Sequence, residues 1–216
     1  MGAITRSIAN NITTSGVFTS SAIANSSVTG ITVLANASDG ITFISSQTAS
    51  NSASLSFTSG LTSTYKAYKF VFSNIHPRTD STALTFNLSA DAGSNYNVTK
   101  TTTFFRAQHL ESDGAYVFEY VTDDDLAQST SFQKISNLCG FDADQNVSGS
   151  LTLYNPSSTT YVKHFISTVN SCFTDSEATA NLFMAGYGNT TSACNAIQFK
   201  MSSGNMDGTI YLYGIK

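Results

Sequence analysis

Three histidines, a run of acids and three cysteines are the residues whose types most readily do chemistry, and their spacing decides what they could do. His76 precedes Pro77 in a turn signal, His109 lies in "FRAQHLESDG", and His164 sits within a strand pattern. None is two or four residues from another, so no strand or helix face brings two of them to one metal ion, and ordinary structural or surface roles are expected. Asp123, Asp124 and Asp125 are the one acidic run. Paired carboxylates can cleave glycosides or hold calcium, but three consecutive side chains on a strand cannot face one point. Capping or solvating a turn is the expected role. Asp142 and Asp144 in "FDADQNVSG" share a face if extended, with Gly149 following, yet the segment lacks the oxygen density and closing Glu of a calcium loop. Cys139, Cys172 and Cys194 are odd in number and widely spaced, which fits neither a disulfide framework nor a zinc set. Buried free thiols are expected, with one disulfide plus a leftover thiol as the alternative. Gly-x-Ser-x-Gly, Gly-x-x-x-x-Gly-Lys and Gly-x-Gly-x-x-Gly are all absent from the sequence. The expectation is a protein without catalytic residues, metal or cofactor.

Binding chemistry has one candidate set. Tyr96, Tyr116 and Tyr187 lie close to Gly or Asn, and aromatic faces beside such groups can stack on sugar rings; packing in a core or interface is the competing fate of each. Asn-x-Ser/Thr triplets occur at Asn11, Asn25, Asn36, Asn87, Asn97, Asn146 and Asn189. A chain so rich in these residues produces such triplets by chance, and glycosylation is not expected.

The elements that must position these residues follow from composition. The chain has 216 residues, of which 11% are charged, with a formal net charge of −4. Serine, threonine and asparagine number 33, 29 and 17. Ten Lys and Arg in all are too few to neutralise a run of phosphates, so nucleic acid is not an expected partner. Helix formers with long side chains are scarce, while β-branched and aromatic residues are plentiful, which disfavours both a helical bundle and disorder. No run of about 18 apolar residues occurs, so no spanning helix is expected. The first 20 residues show no apolar core of a secretory signal, and Arg6 stands where a myristoylation motif starting at Gly2 needs Ser or Thr.

Residues 1–40 differ from the rest. They hold one aromatic residue, Phe18, two charges, Arg6 and Asp39, and isolated aliphatics at Ile4, Ile8, Ile12, Val17, Ile23, Val28, Ile31 and Val33. Such a segment buries too little surface alone to offset its ordering entropy, which leaves a flexible tail or an extended arm seated on a neighbour. Regularly placed Ile and Val are not what a solvated linker needs, so an extended anchoring or oligomerisation arm is expected. From residue 41 the hydrophobic period becomes two. Leu55 and Phe57, then Tyr68, Phe70 and Phe72, then Leu84, Phe86 and Leu88 each share a face. So do Tyr116, Phe118 and Tyr120; Leu151 and Leu153; Val162, His164 and Ile166; Ile197, Phe199 and Met201; and Ile210 and Leu212, set against Tyr211 and Tyr213. Turn signals separate these runs. Residues 41–216 therefore predict an all-β, antiparallel two-sheet sandwich of jelly-roll type. Bulk on both faces of "GTIYLYGIK" places that strand centrally or at a subunit contact.

"MGAITRSIANNITTSG", "SSQTASNSASLSFTSGLTSTYKAYKFVFSNIHP", "ADAGSNYNVTKTTTF" and "SGNMDGTIYLYGIK" resemble small virion structural proteins of tailed phages, most of all those of cyanobacterial phages. The resemblance implies a β-rich, fibre-like or capsid-associated protein that forms an oligomer, often a trimer, on the particle after assembly in the host cytoplasm. It implies no functional residue. Its expected partners are its own copies and other virion proteins of capsid or tail. A tail-fibre or adhesion role is the first expectation, capsid decoration the second, and a module binding host surface glycans the third.

Overall fold

A computed structural model describes residues 40–173 and 178–216. The arm expected over residues 1–40 falls, but for Gly40, outside the described residues. Twelve strands follow in chain order: β1 (Ile41–Ser52), β2 (Leu55–Phe57), β3 (Ala67–Pro77), β4 (Leu84–Ser89), β5 (Lys100–Leu110), β6 (Tyr116–Tyr120), β7 (Gln133–Lys134), β8 (Val147–Tyr154), β9 (Lys163–Cys172), β10 (Ala178–Gly188), β11 (Ala196–Met201) and β12 (Met206–Ile215). They form an eight-stranded sheet in the order β1-β12-β3-β8-β9-β10-β5-β6 and a four-stranded sheet in the order β2-β11-β4-β7.

The order contains a complete jelly roll. β1 pairs with β12, β2 with β11, β3 with β8 and β4 with β7, so the outermost strands in sequence pair first and the innermost last. That nesting is one long antiparallel ribbon rolled into two sheets of four. The other four strands are insertions. β5 and β6 enter between β4 and β7, β9 and β10 between β8 and β11, and together they widen the large sheet beyond β8.

Phe57, Phe86 and Phe199 of the small sheet meet Phe70, Phe72 and Phe165 of the large one. Phe199 is the hub, with ring centroids 5.2 Å from Phe70, 5.3 Å from Phe72 and 6.2 Å from Phe57, the last two edge to face. Phe86 meets Phe165 at 5.1 Å. Tilted and edge-on rings fill the space between two twisted sheets better than parallel ones and align ring edges with ring faces.

Most alternating runs land as strands with the anticipated face inward. Phe70, Phe72, Leu84, Phe86, Leu88, Leu151, Leu153, Ile210 and Leu212 are all buried, and β12 is an interior strand of its sheet. On β9 the set read in the sequence is the outward one. Lys163, Phe165, Ser167 and Val169 face inward, while His164 and Ile166 face out. Two long strands, β5 and β10, fall where no alternating run was legible, because threonines fill the start of β5 and small residues fill β10.

Candidate functional site

The histidines stay apart. His76 Nε2 lies 3.0 Å from the carbonyl oxygen of Asp142, His109 Nε2 lies 3.1 Å from the Asp113 carboxylate, and the His164 ring lies 5.9 Å from that of Tyr187. The acidic run splits as its spacing demands. Asp124 is buried and pairs with Lys134, Asp125 accepts a 2.5 Å hydrogen bond from the Tyr120 hydroxyl, and Asp123 is exposed. Asp142 and Asp144 are exposed in the turn before β8. Among the described residues no group of three His, Cys, Asp or Glu is placed to hold a metal ion. The three cysteines are free thiols, with Cys139 and Cys194 buried and Cys172 partly exposed, which corrects the expectation that all three are buried. Burial raises both Cys139 and Cys194 to about 11, although nearby lysines pull Cys194 the other way. Asn87 is fully buried in β4, so a glycan has no access to it.

The tyrosines do not converge. Tyr116 stands at the start of β6, opposite His109, which in turn lies opposite Thr179. Tyr187 is eight residues along β10 from Thr179, roughly 26 Å at strand rise. Tyr96 lies on the loop before β5, where its carbonyl accepts from Asn87.

What the fold does bring together is the outer face of the eight-stranded sheet. Directly opposed residues share a face, so the register defines its rows. One row runs Tyr211, Val71, Ser150, Thr168, Phe183, Phe105, Tyr120; the next runs Phe43, Tyr213, Lys69, Thr152, Ile166, Ala185, Thr103. Phe183 stacks on Phe105 at 4.9 Å and 11°, and Phe105 meets Phe118 edge to face at 6.0 Å. At the opposite edge Phe43 meets Tyr213 at 5.7 Å. Several members are wide open to solvent: Tyr116 at 85%, Phe118 at 77%, Phe43 at 55% and Ile166 at 51%. In the outward rows of β3, β8, β9, β10, β5 and β6, Lys69 is the single Lys, Arg, Asp or Glu. The surface is aromatic at both ends, hydroxyl-rich between them, and nearly free of charge. Between β9, β10 and β5 it dips into an open depression of about 460 Å³ beside Thr101, Thr103, His164, Ile166 and Tyr187.

The sequence signal for this face was present in part. "AYVFEYV" shows its three aromatics, but alternation alone does not say that they point away from the core. Phe105 and Phe183 carry no such signal, since threonines and small residues mask the alternation of β5 and β10.

Two lysines are a second feature not read from the sequence. Lys100 and Lys163 both flank Gly188 in the register and are fully buried. Lys100 Nζ donates to Asn87 Oδ1 at 2.5 Å and to the Val98 carbonyl at 2.8 Å. Lys163 Nζ donates to the carbonyls of Tyr161 and Thr190 at 2.6 and 3.2 Å. Burial lowers Lys100 to about 7 and lowers Lys163 as well. No known protein family, curated protein or solved structure matches the chain in comparisons of sequence and fold.

Proposed function

We propose that this chain is a non-enzymatic virion structural protein of a phage, which associates with its own copies through the outer face of the large sheet and serves as a tail-fibre or adhesion component. The observation that carries the reading is that face. A sheet some eight strands wide, roughly 35 Å across, presents aromatic clusters at both ends and almost no charge. Soluble monomers rarely leave clustered aromatic rings this open to water, and such patches mark interfaces. The two clusters are unlike in composition and sit at opposite edges. A ring of copies, such as the trimer that the phage resemblance implies, uses two unlike patches per subunit, whereas a two-fold dimer uses one patch twice. The segment 1–40 is assigned to anchoring on the particle.

Sedimentation of the purified chain tests the homotypic contact. A trimer or other closed oligomer that Phe118→Asp dissociates supports it; a monomer at all concentrations overturns it. An image reconstruction of the intact particle then tests location. Density on the tail in few copies supports the fibre role, and hundreds of copies on the capsid lattice replace it with decoration. Removing residues 1–25 is expected to leave a folded domain that no longer joins the particle; full occupancy by the truncated chain removes the anchoring role.

A second reading has one observation in its favour. Tyr187 and His164 border the depression with the hydroxyls of Thr101 and Thr103, an arrangement that offers a ring face and hydrogen-bonding groups to a sugar. Host-envelope glycan binding that Tyr187→Ala abolishes would make this site the adhesive element.

A further inference from the structure

Lys100 is the first residue of β5, in the large sheet, and Asn87 belongs to β4, in the small one. Both are fully buried. A lysine in such a place ordinarily has a carboxylate beside it, because an unpaired ammonium is costly to desolvate. Among the described residues no carboxylate forms an ion pair with Lys100, whose Nζ meets neutral oxygens. The Asn87 amide is held by all its groups. Oδ1 accepts from Lys100 Nζ at 2.5 Å and from the Leu88 backbone N–H at 2.9 Å, while Nδ2 donates to the carbonyls of Tyr96 and Thr130 at 2.7 and 2.9 Å. These four bonds assign the amide orientation, since a flipped amide would set Nδ2 against two donors and Oδ1 against two acceptors. The lysine nitrogen is thereby kept beside the carbonyl end of the amide.

We propose that Lys100 and Asn87 close an intrachain amide bond in the folded protein, tying β4 to β5. Nζ, as the free amine, attacks Cγ of Asn87, and a C–N bond forms. The Cγ–Nδ2 bond breaks, the proton shed by Nζ passes to Nδ2, and the nitrogen leaves as ammonia. No oxidant, reductant or co-reactant takes part. The Leu88 N–H stays on the oxygen as negative charge develops there, the role such donors play in acyl transfer. Burial pulls Lys100 to about 7, so a large share of the nucleophile is unprotonated at neutral pH. The product is a neutral amide, which removes the buried charge. Among the described residues no carboxylic acid pairs with Lys100 to relay the proton, so closure is slow and its yield grows with time after folding.

Mass spectrometry of the full-length chain, fresh and aged, tests the bond. The expected result is a growing population lighter by one ammonia. After unfolding and trypsin, that population yields a peptide running from Thr79 to Arg106 without cleavage after Lys100, because an acylated lysine is not cut. A succinimide at Asn87 has the same mass loss but leaves the cut after Lys100 intact, so the missed cleavage identifies the cross-link. Asn87→Asp is expected to lose water instead of ammonia, Lys100→Met to lose neither, and protein held in denaturant to keep its full mass. Lys163, whose Nζ meets backbone carbonyls, is the internal control and is cleaved normally. Aged folded protein that keeps its encoded mass and is cut fully after Lys100 overturns the proposal. That outcome leaves the virion reading untouched, since the two rest on different observations.

Discussion

The two faces of the eight-stranded sheet are built from similar residues and meet different fates. On β9 the inward Phe165 packs on Phe86 of the small sheet and Val169 is buried in the core, while the outward Ile166 is half exposed. On β5 Phe104 is fully buried while its neighbour Phe105 stacks on Phe183 at the surface. Aromatic content therefore does not mark the core of this protein. The inner rings lock into one another through Phe199, a close-packed arrangement that fixes stability. The outer rings form ladders with one side open, which add little to the folded monomer and are available to a partner.

Substitutions on the two faces sharpen the contrast. Phe199→Ala removes the hub of the inner cluster and is expected to destabilise the domain by about 3–5 kcal/mol in denaturant unfolding. A loss below about 1 kcal/mol would show that the inner cluster is not close-packed. On the outer face, Phe118→Asp or the pair Phe105→Ser with Phe183→Ser is expected to weaken self-association by roughly tenfold or more, as for an interface anchor. Unchanged sedimentation would separate the aromatic ladder from assembly.

The buried lysines predict a pH dependence that belongs to the inner face. Lys100 is held at about 7 when folded, against 10.5 as an ordinary lysine. Above about 7 the unfolded chain binds a proton that the folded chain has shed, so stability rises with pH from there. Lys163 shifts in the same direction and adds to the rise. Above 9.0 the cysteines oppose it, because Cys139 and Cys194 stay protonated in the fold up to about 11 while unfolded thiols ionise. Chemical denaturation at a series of pH values should therefore show stability climbing between about 7 and 9.0 and then levelling or turning over. Once Lys100 is acylated, its share of the climb disappears. The smallest effect is expected from Phe118→Ala, which should change the stability of the monomer by no more than about 0.5 kcal/mol, since its ring is 77% exposed.

Much of the fold was legible because period-two patterning is a local signal. Leu84, Phe86 and Leu88, and likewise Ile210 and Leu212, alternate with smaller or polar groups, and each set has one face that can be buried. The dispersal of Asp123, Asp124 and Asp125 was legible for the same reason, since consecutive strand or turn residues diverge. The inward face of β9 was not. Val162, His164 and Ile166 and the competing set Lys163, Phe165 and Ser167 are equally regular, and a lysine in the second set argued for the wrong side.

The chain alone determined that this protein is built of antiparallel strands, with turns where Gly, Asn, Asp and Ser cluster, because backbone preference and alternation act over a few residues. Only the tertiary structure decided that β5, β6, β9 and β10 widen one sheet, that Lys100 lies against Asn87 inside the domain, and that an aromatic face is left to the solvent. Alternation divides a strand into two faces, but which face is covered depends on strands distant in sequence, and that choice is made by packing.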